Sequence, residues 1–141
     1  MNALEEGTAA DIDFEKIGRA AKSPQGLIPV VLQHAETKEV LFVGYANDLA
    51  VRETLASRRA VLWSASRDEL WRKGSTSGDQ LELADVRVNC EQNALLYLVR
   101  PVGGGVCHTT DRSGATRPTC FYRRLSDPSA LEFVEGFEPA D

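Results

Sequence analysis

Three cysteines and one histidine carry the chemical potential of this 141-residue chain: Cys90, Cys107, Cys120, and His108 directly after the second cysteine. An odd cysteine count excludes complete internal disulfide pairing. Three thiolates match the ligand number of a catalytic zinc site, which keeps a fourth position open for water. The competing assignment is three small buried apolar residues, the commonest fate of free cysteine. Spacing taken alone favours that assignment, because sixteen and then twelve residues separate the cysteines and no CxxC pair occurs. An imidazole beside such a site suits proton shuttling near neutral pH. The only other histidine, His34, closes an apolar run before a turn and reads as a surface or structural residue.

The elements that must aim these groups are mainly β. The run 27–33 (LIPVVLQ) and the run 40–45 read as a hairpin around the polar stretch 35–39, with Pro29 favouring an edge or a strand start. Asn47 is a helix N-cap, followed by Asp48 in the first turn and an apolar face at Leu49, Val51, Leu55 and Ala56. This helix, to about Arg59, is the main one expected. A shorter one is expected near 14–21. Strands are then expected at 60–64, 69–72, 81–89, 94–100 and 120–125. Leu81 and Leu83 alternate in one phase and Val86, Val88 and Cys90 in the other, so a bulge is expected near Ala84–Asp85. Cys90 then ends a strand, Cys107 follows the glycine run 103–105, and Cys120 opens the last strand.

Length fits one domain: an arm with a short helix (1–25), a core domain (26–125) and an acidic C-terminal tail (126–141). Net charge is −5, but residues 1–16 carry −4 and residues 126–141 carry −5, leaving +4 for the stretch between. A mildly basic centre suits a small anionic ligand and is too weak for nucleic acid. No apolar run approaches a membrane span, and the acidic start lacks the pattern of a signal peptide. The expected setting is therefore the cytoplasm, where thiols stay reduced.

Six separated blocks occur in order: GLIPVVLQ (26–33), VLFVGYAN (40–47), SASRDELWRKGSTSGDQ (64–80), VRVNCEQNALLYLV (86–99), GGGVCHT (103–109) and CFYRR (120–124). Together they make the chain similar to the phosphoribosyl-AMP cyclohydrolases of histidine biosynthesis. The resemblance implies an α+β, mainly β fold with one main helix, forming an intertwined homodimer with metal sites at the interface. It implies zinc shared between subunits, Cys90 of one joining Cys107 and Cys120 of the other. It implies hydrolytic opening of the N1–C6 bond of an adenine ring, with zinc-hydroxide attacking C6 and His108 acting as base or water-positioning group. The family's magnesium pattern, D-C-D-x-D around the first cysteine, is altered to Asn89, Glu91 and Asn93, so a weaker magnesium site is expected. The loop from Cys107 to Cys120 is longer than the family's and holds Asp111, Arg112 and Arg117.

A substrate with two phosphates needs cationic and amide donors. Lys73, Ser75, Thr76 and Ser77, between Gly74 and Gly78, form a plausible cradle. Arg67, Arg72 and Arg123 are further candidates. Trp63, Trp71 and Tyr122 fit core or interface positions better than stacking platforms. Two other functions remain compatible with these residues. One is a divergent metal hydrolase acting on another purine nucleotide. The other is a zinc-stapled nucleotide-binding dimer without turnover.

Overall fold

A computed structural model describes residues 2–24, 26–72, 80–103 and 105–140. Its centre is a four-stranded sheet in the order β2-β1-β6-β5. The hairpin of β1 (Ile28–His34) and β2 (Val40–Ala46) is antiparallel, as its sequence pattern predicts. β6 (Leu95–Pro101) lies parallel to β1 on the other side, and β5 (Leu81–Val88) closes the sheet antiparallel to β6. β1 is thus an interior strand. Pro29 is tolerated there because it is the second residue, and pairing to β6 begins only at Val30. The expected bulge is present, as the register of β5 shifts between Leu83 and Asp85. The extra residue brings Val86 onto the face of Leu81 and Leu83, and all three pack on the core.

That core joins Val30 and Leu32 of β1, Leu41 and Phe42 of β2, and Tyr97 and Val99 of β6. α3 (Asp48–Ser57) packs over it through the fully buried Ala50 and Thr54. The Asn47 side chain accepts from Ala50 N at 2.9 Å, capping the helix. Arg58 ends it in a left-handed conformation (φ 58°), with its N–H on the Thr54 carbonyl. Thr54 Oγ1 also accepts from Val61 N (3.0 Å), tying α3 to β3 (Val61–Ser64). β3 and β4 (Glu69–Arg72) form a small hairpin. Gly44 lets Leu62 lie close on β2, since a Cβ there would meet Leu62 Cδ1 at 3.0 Å.

The chain ends are more ordered than the sequence suggested. α1 (Ala3–Glu6) and α2 (Lys16–Ala21) are short helices. The last expected strand starts later than Cys120: β7 spans Arg123–Asp127 and pairs with β8 (Ala130–Phe133), which lies inside the acidic tail. Cys120 is therefore in the loop before a strand. Thr119 and Cys120 hold that loop to the start of β2 rather than extending β7, with Cys120 N on the Leu41 carbonyl at 2.8 Å. Among the described residues no helix is long and apolar enough to cross a membrane.

Candidate metal and catalytic site

Cys107 sits in a loop pressed against residues 116–117. Gly105 permits the crossing, because a Cβ there would overlap the Thr116 carbonyl. Val106 N and Cys107 N both donate to the Arg117 carbonyl (3.1 and 3.0 Å), and Arg117 N returns a bond to the Thr109 carbonyl (3.0 Å). This closes the loop on itself and buries Cys107. From the other side, Thr119 Oγ1 donates to the Val40 carbonyl (2.9 Å) and fixes the approach of the exposed Cys120.

The two sulfurs meet. A hydrogen bond from Cys120 pulls the Cys107 thiol down to about 5, against burial, which raises it. The hydroxyl and backbone N–H of Thr109 and the charge of His108 act in the same downward direction. Thr109 Oγ1 lies 3.0 Å from Cys107 Sγ. A thiolate held ready beside a second sulfur is the donor set a soft or borderline metal prefers, and zinc fits it.

Cys90 is elsewhere. It follows β5, whose Val88 aligns through Leu95 with Val30, whereas Cys120 lies against Leu41, near the Gln33 end of β1. Strand spacing of about 4.8 Å and a rise of about 3.3 Å per residue put the two backbones on the order of 20 Å apart. Zinc–sulfur bonds of about 2.3 Å cannot bridge that gap within one chain. Accordingly, no three His, Cys, Asp or Glu side chains gather as a metal site among the described residues of the single chain.

Asn89, Glu91 and Asn93 do converge, in the exposed turn that carries Cys90. Asn89 Oδ1 accepts from Asn93 N and Ala94 N, each at 2.9 Å, and Asn89 Nδ2 donates to Asn93 Oδ1 at 2.6 Å. Asn93 Nδ2 reaches Glu91 Oε2 at 3.4 Å. Both amide oxygens are thus engaged inside the turn, and one carboxylate is left to face a hard cation.

His108 is exposed, and its Nε2 lies 2.9 Å from Glu5 Oε1. Arg123 donates from Nη1 to the Gly7 carbonyl and from Nη2 to the Leu4 carbonyl, both at 2.8 Å. Arg67 lines a cleft of about 390 Å³ with Tyr45, Trp63, Ser64 and Trp71. In this cleft Trp63 Nε1 is buried without a hydrogen-bond partner among the described residues, while Trp71 packs on Phe42 with ring centroids 5.9 Å apart. Arg72 pairs with Glu53 at 3.0 Å. Lys73, Ser75, Thr76 and Ser77 lie outside the described residues. His34 has the structural duty expected of it: Nδ1 accepts from Glu36 N (3.1 Å) and Thr37 N (3.3 Å), closing the β1–β2 turn.

Sequence reasoning missed Glu5, Glu6 and the role of Arg117. Arg117 is fully buried and binds the Glu6 carboxylate through Nη1 and the Phe137 carbonyl through Nε. Its guanidinium carbon stacks 4.1 Å above the Tyr122 ring. The arm, the tail and the Cys107 loop meet on this one side chain. Glu6 and Arg117 are 111 residues apart, so no local period points to the pair. The available signal was an arginine in a loop of unusual length, in a chain with two acidic ends.

A mainly β scaffold with one prepared thiolate, a second sulfur beside it and a neighbouring imidazole defines a candidate metal-dependent hydrolase. The comparisons narrow the class. The phosphoribosyl-AMP cyclohydrolase family profile matches residues 42–122. A phosphoribosyl-AMP cyclohydrolase of Archaeoglobus fulgidus is 48% identical over 101 residues, 72% of this chain and 87% of the relative. One from Bifidobacterium longum is 40% identical over 133 residues, 94% of this chain and 93% of the relative. A bifunctional histidine-biosynthesis protein of Thermus thermophilus is 46% identical over 113 residues, 79% of this chain but only 50% of the relative. The chain belongs to the phosphoribosyl-AMP cyclohydrolase family.

Proposed function

We propose that the chain hydrolyses phosphoribosyl-AMP, opening the adenine ring at N1–C6 in histidine biosynthesis, as a zinc-dependent homodimer. Family membership supports the activity. The observation that carries the chemistry is the Cys107–Cys120 pair, with one thiol held low beside His108. Cys107 and Cys120 would hold zinc together with Cys90 of a second copy. When bound, zinc supplies Lewis acidity that makes water a competent nucleophile near neutral pH. Alkylation at N1 already renders the adenine ring cationic, so C6 is open to water. His108 is adjacent to the sulfur pair and takes the proton of the attacking water, returning it as the ring nitrogen departs.

The dimer reading has its own support. Val43, Val31 and Leu96 form a cross-strand row on the sheet face away from Val30 and Leu32. Val43 is half exposed, and the adjoining cleft of about 350 Å³ runs from Val31 and Leu96 to Asn89. An apolar sheet face that leads to the Cys90 turn suits a second copy better than water. Magnesium has the weaker case at Asn89, Glu91 and Asn93, and we propose that substrate phosphate holds that ion in the main. Arg67 beside the Trp63 cleft, with Lys73, Ser75, Thr76 and Ser77, is the proposed phosphate set. Arg123 joins it only by leaving the arm carbonyls it now binds.

The test is turnover of phosphoribosyl-AMP, read by the absorbance change of ring opening, against AMP and adenosine, with zinc measured on the same sample. Turnover of phosphoribosyl-AMP alone, lost in chelator, is expected. Preference for AMP or adenosine would move the assignment to a divergent purine-nucleotide hydrolase. Zinc and nucleotide binding without turnover would leave a binding protein.

A further inference from the structure

His108 makes its one described side-chain hydrogen bond to a residue from the far end of the chain. Glu5 Oε1 lies 2.9 Å from Nε2, across a sequence separation of 103 residues. An ionised carboxylate only accepts hydrogen bonds, so this bond needs the proton on Nε2, and in the neutral ring Nδ1 then keeps its lone pair. With a side chain 75% exposed on His108 and 33% exposed on Glu5, the pair adds little stability. Its effect is on orientation and tautomer.

The carboxylate comes from an anchored backbone. Tyr122 Oη donates to the Glu5 carbonyl at 2.8 Å. Arg123 grips the Leu4 and Gly7 carbonyls on either side, and the Glu6 carboxylate is bound by the buried Arg117. Arg117 also accepts the Cys107 and Val106 amides through its own carbonyl. The arm and the loop bearing His108 therefore share one set of anchors, and Glu5 cannot drift relative to the imidazole without breaking several of them. An arm with no such role would not need four consecutive residues fastened beside the proposed site.

We infer that Glu5 is a positioning residue for His108, holding the imidazole in the Nε2-protonated tautomer and in one orientation, with Nδ1 as the basic atom. The inference rests on His108 being the proton acceptor proposed above. Its logic is that of a carboxylate behind a catalytic or ligating histidine, where losing the carboxylate costs about 10- to 100-fold.

The experiment uses the full chain with its zinc. Glu5→Ala is expected to lower kcat about tenfold, with KM, zinc content and thermal midpoint unchanged. Glu5→Gln keeps an acceptor oxygen and should recover most of that loss. Adding Glu5→Ala to His108→Ala should cost nothing further, because the two act as a unit. Ring ¹⁵N spectra, in a chain with only two histidines, should show His108 protonated at Nε2 in the parent and in Glu5→Gln. In Glu5→Ala that preference should be lost. Unchanged kcat or an unchanged tautomer in Glu5→Ala, or an additive loss in the double variant, overturns the inference and leaves the function standing. Full turnover by His108→Ala would instead remove the proton-acceptor reading, and this inference with it.

Discussion

Cys107 is buried under a loop that both ends of the chain fasten, whereas Cys90 stands exposed on a turn held by its own side chains. The first region depends on contacts across 78 to 117 residues: Thr119 with Val40 and Leu41, Arg117 with Glu6, Tyr122 with Glu5. The second closes within five residues, from Asn89 to Ala94. One region is preformed by tertiary packing and prepares a thiolate. The other is a local structure that can present its cysteine outward with little help from the rest of the fold. Under the zinc sharing proposed above, the outward placement would suit Cys90 to a neighbouring copy.

The strongest way to break this contrast is to remove a sulfur from each side. Cys90→Ser and Cys107→Ser should each take zinc to background and abolish turnover, read by elemental analysis and assay. A mixed dimer of the two variants should regain one working site. If it recovers no zinc, the two regions do not share an ion.

Arg117→Ala comes next. It leaves the Glu6 carboxylate without its buried partner and should destabilise the chain by about 3–5 kcal/mol in urea denaturation. An equal loss from a substitution in the Cys90 turn would erase the distinction between the regions.

His108→Ala should retain zinc and lose about 100-fold in kcat. Falling zinc content in that variant would make His108 a ligand instead.

The prepared thiol also predicts a pH dependence in the reduced, zinc-free chain. Cys107 titrates near 5 when folded, against 9.0 for an unperturbed thiol. Between these values the unfolded chain binds a proton that the folded chain does not, so stability should rise with pH. The contribution is complete above the unfolded value and is lost as pH falls through about 5. Cys107→Ser should flatten the slope measured by denaturation at several pH values.

Asn89→Ala is the smallest expected effect. It removes the acceptor for Asn93 N and Ala94 N in an exposed turn and should cost about 1 kcal/mol, with the Cys107 loop undisturbed.

The features that could be read in advance are those with local causes. Asn47 caps α3 because a short polar side chain can satisfy the first free N–H groups wherever a helix starts. The β5 bulge follows from a change of hydrophobic phase, and the β1–β2 hairpin from two apolar runs around a polar turn. Less of the ends was legible. The tail forms the β7–β8 hairpin, which the arm borders through Thr8 and Ala10, and Cys120 lies outside any strand because its N–H bonds the distant Leu41 carbonyl. The parallel pairing of β1 with β6 likewise has no short-range signature.

For the site, residue types and their order along the chain were enough to nominate Cys90, Cys107, Cys120 and His108. Side-chain chemistry limits which groups can bind a soft metal or carry a proton at all. Which sulfurs meet, which thiol is held ionised, and which carboxylate stands behind the imidazole were decided only by packing. Those properties depend on distances of a few ångströms between residues that a linear chain keeps up to 117 positions apart.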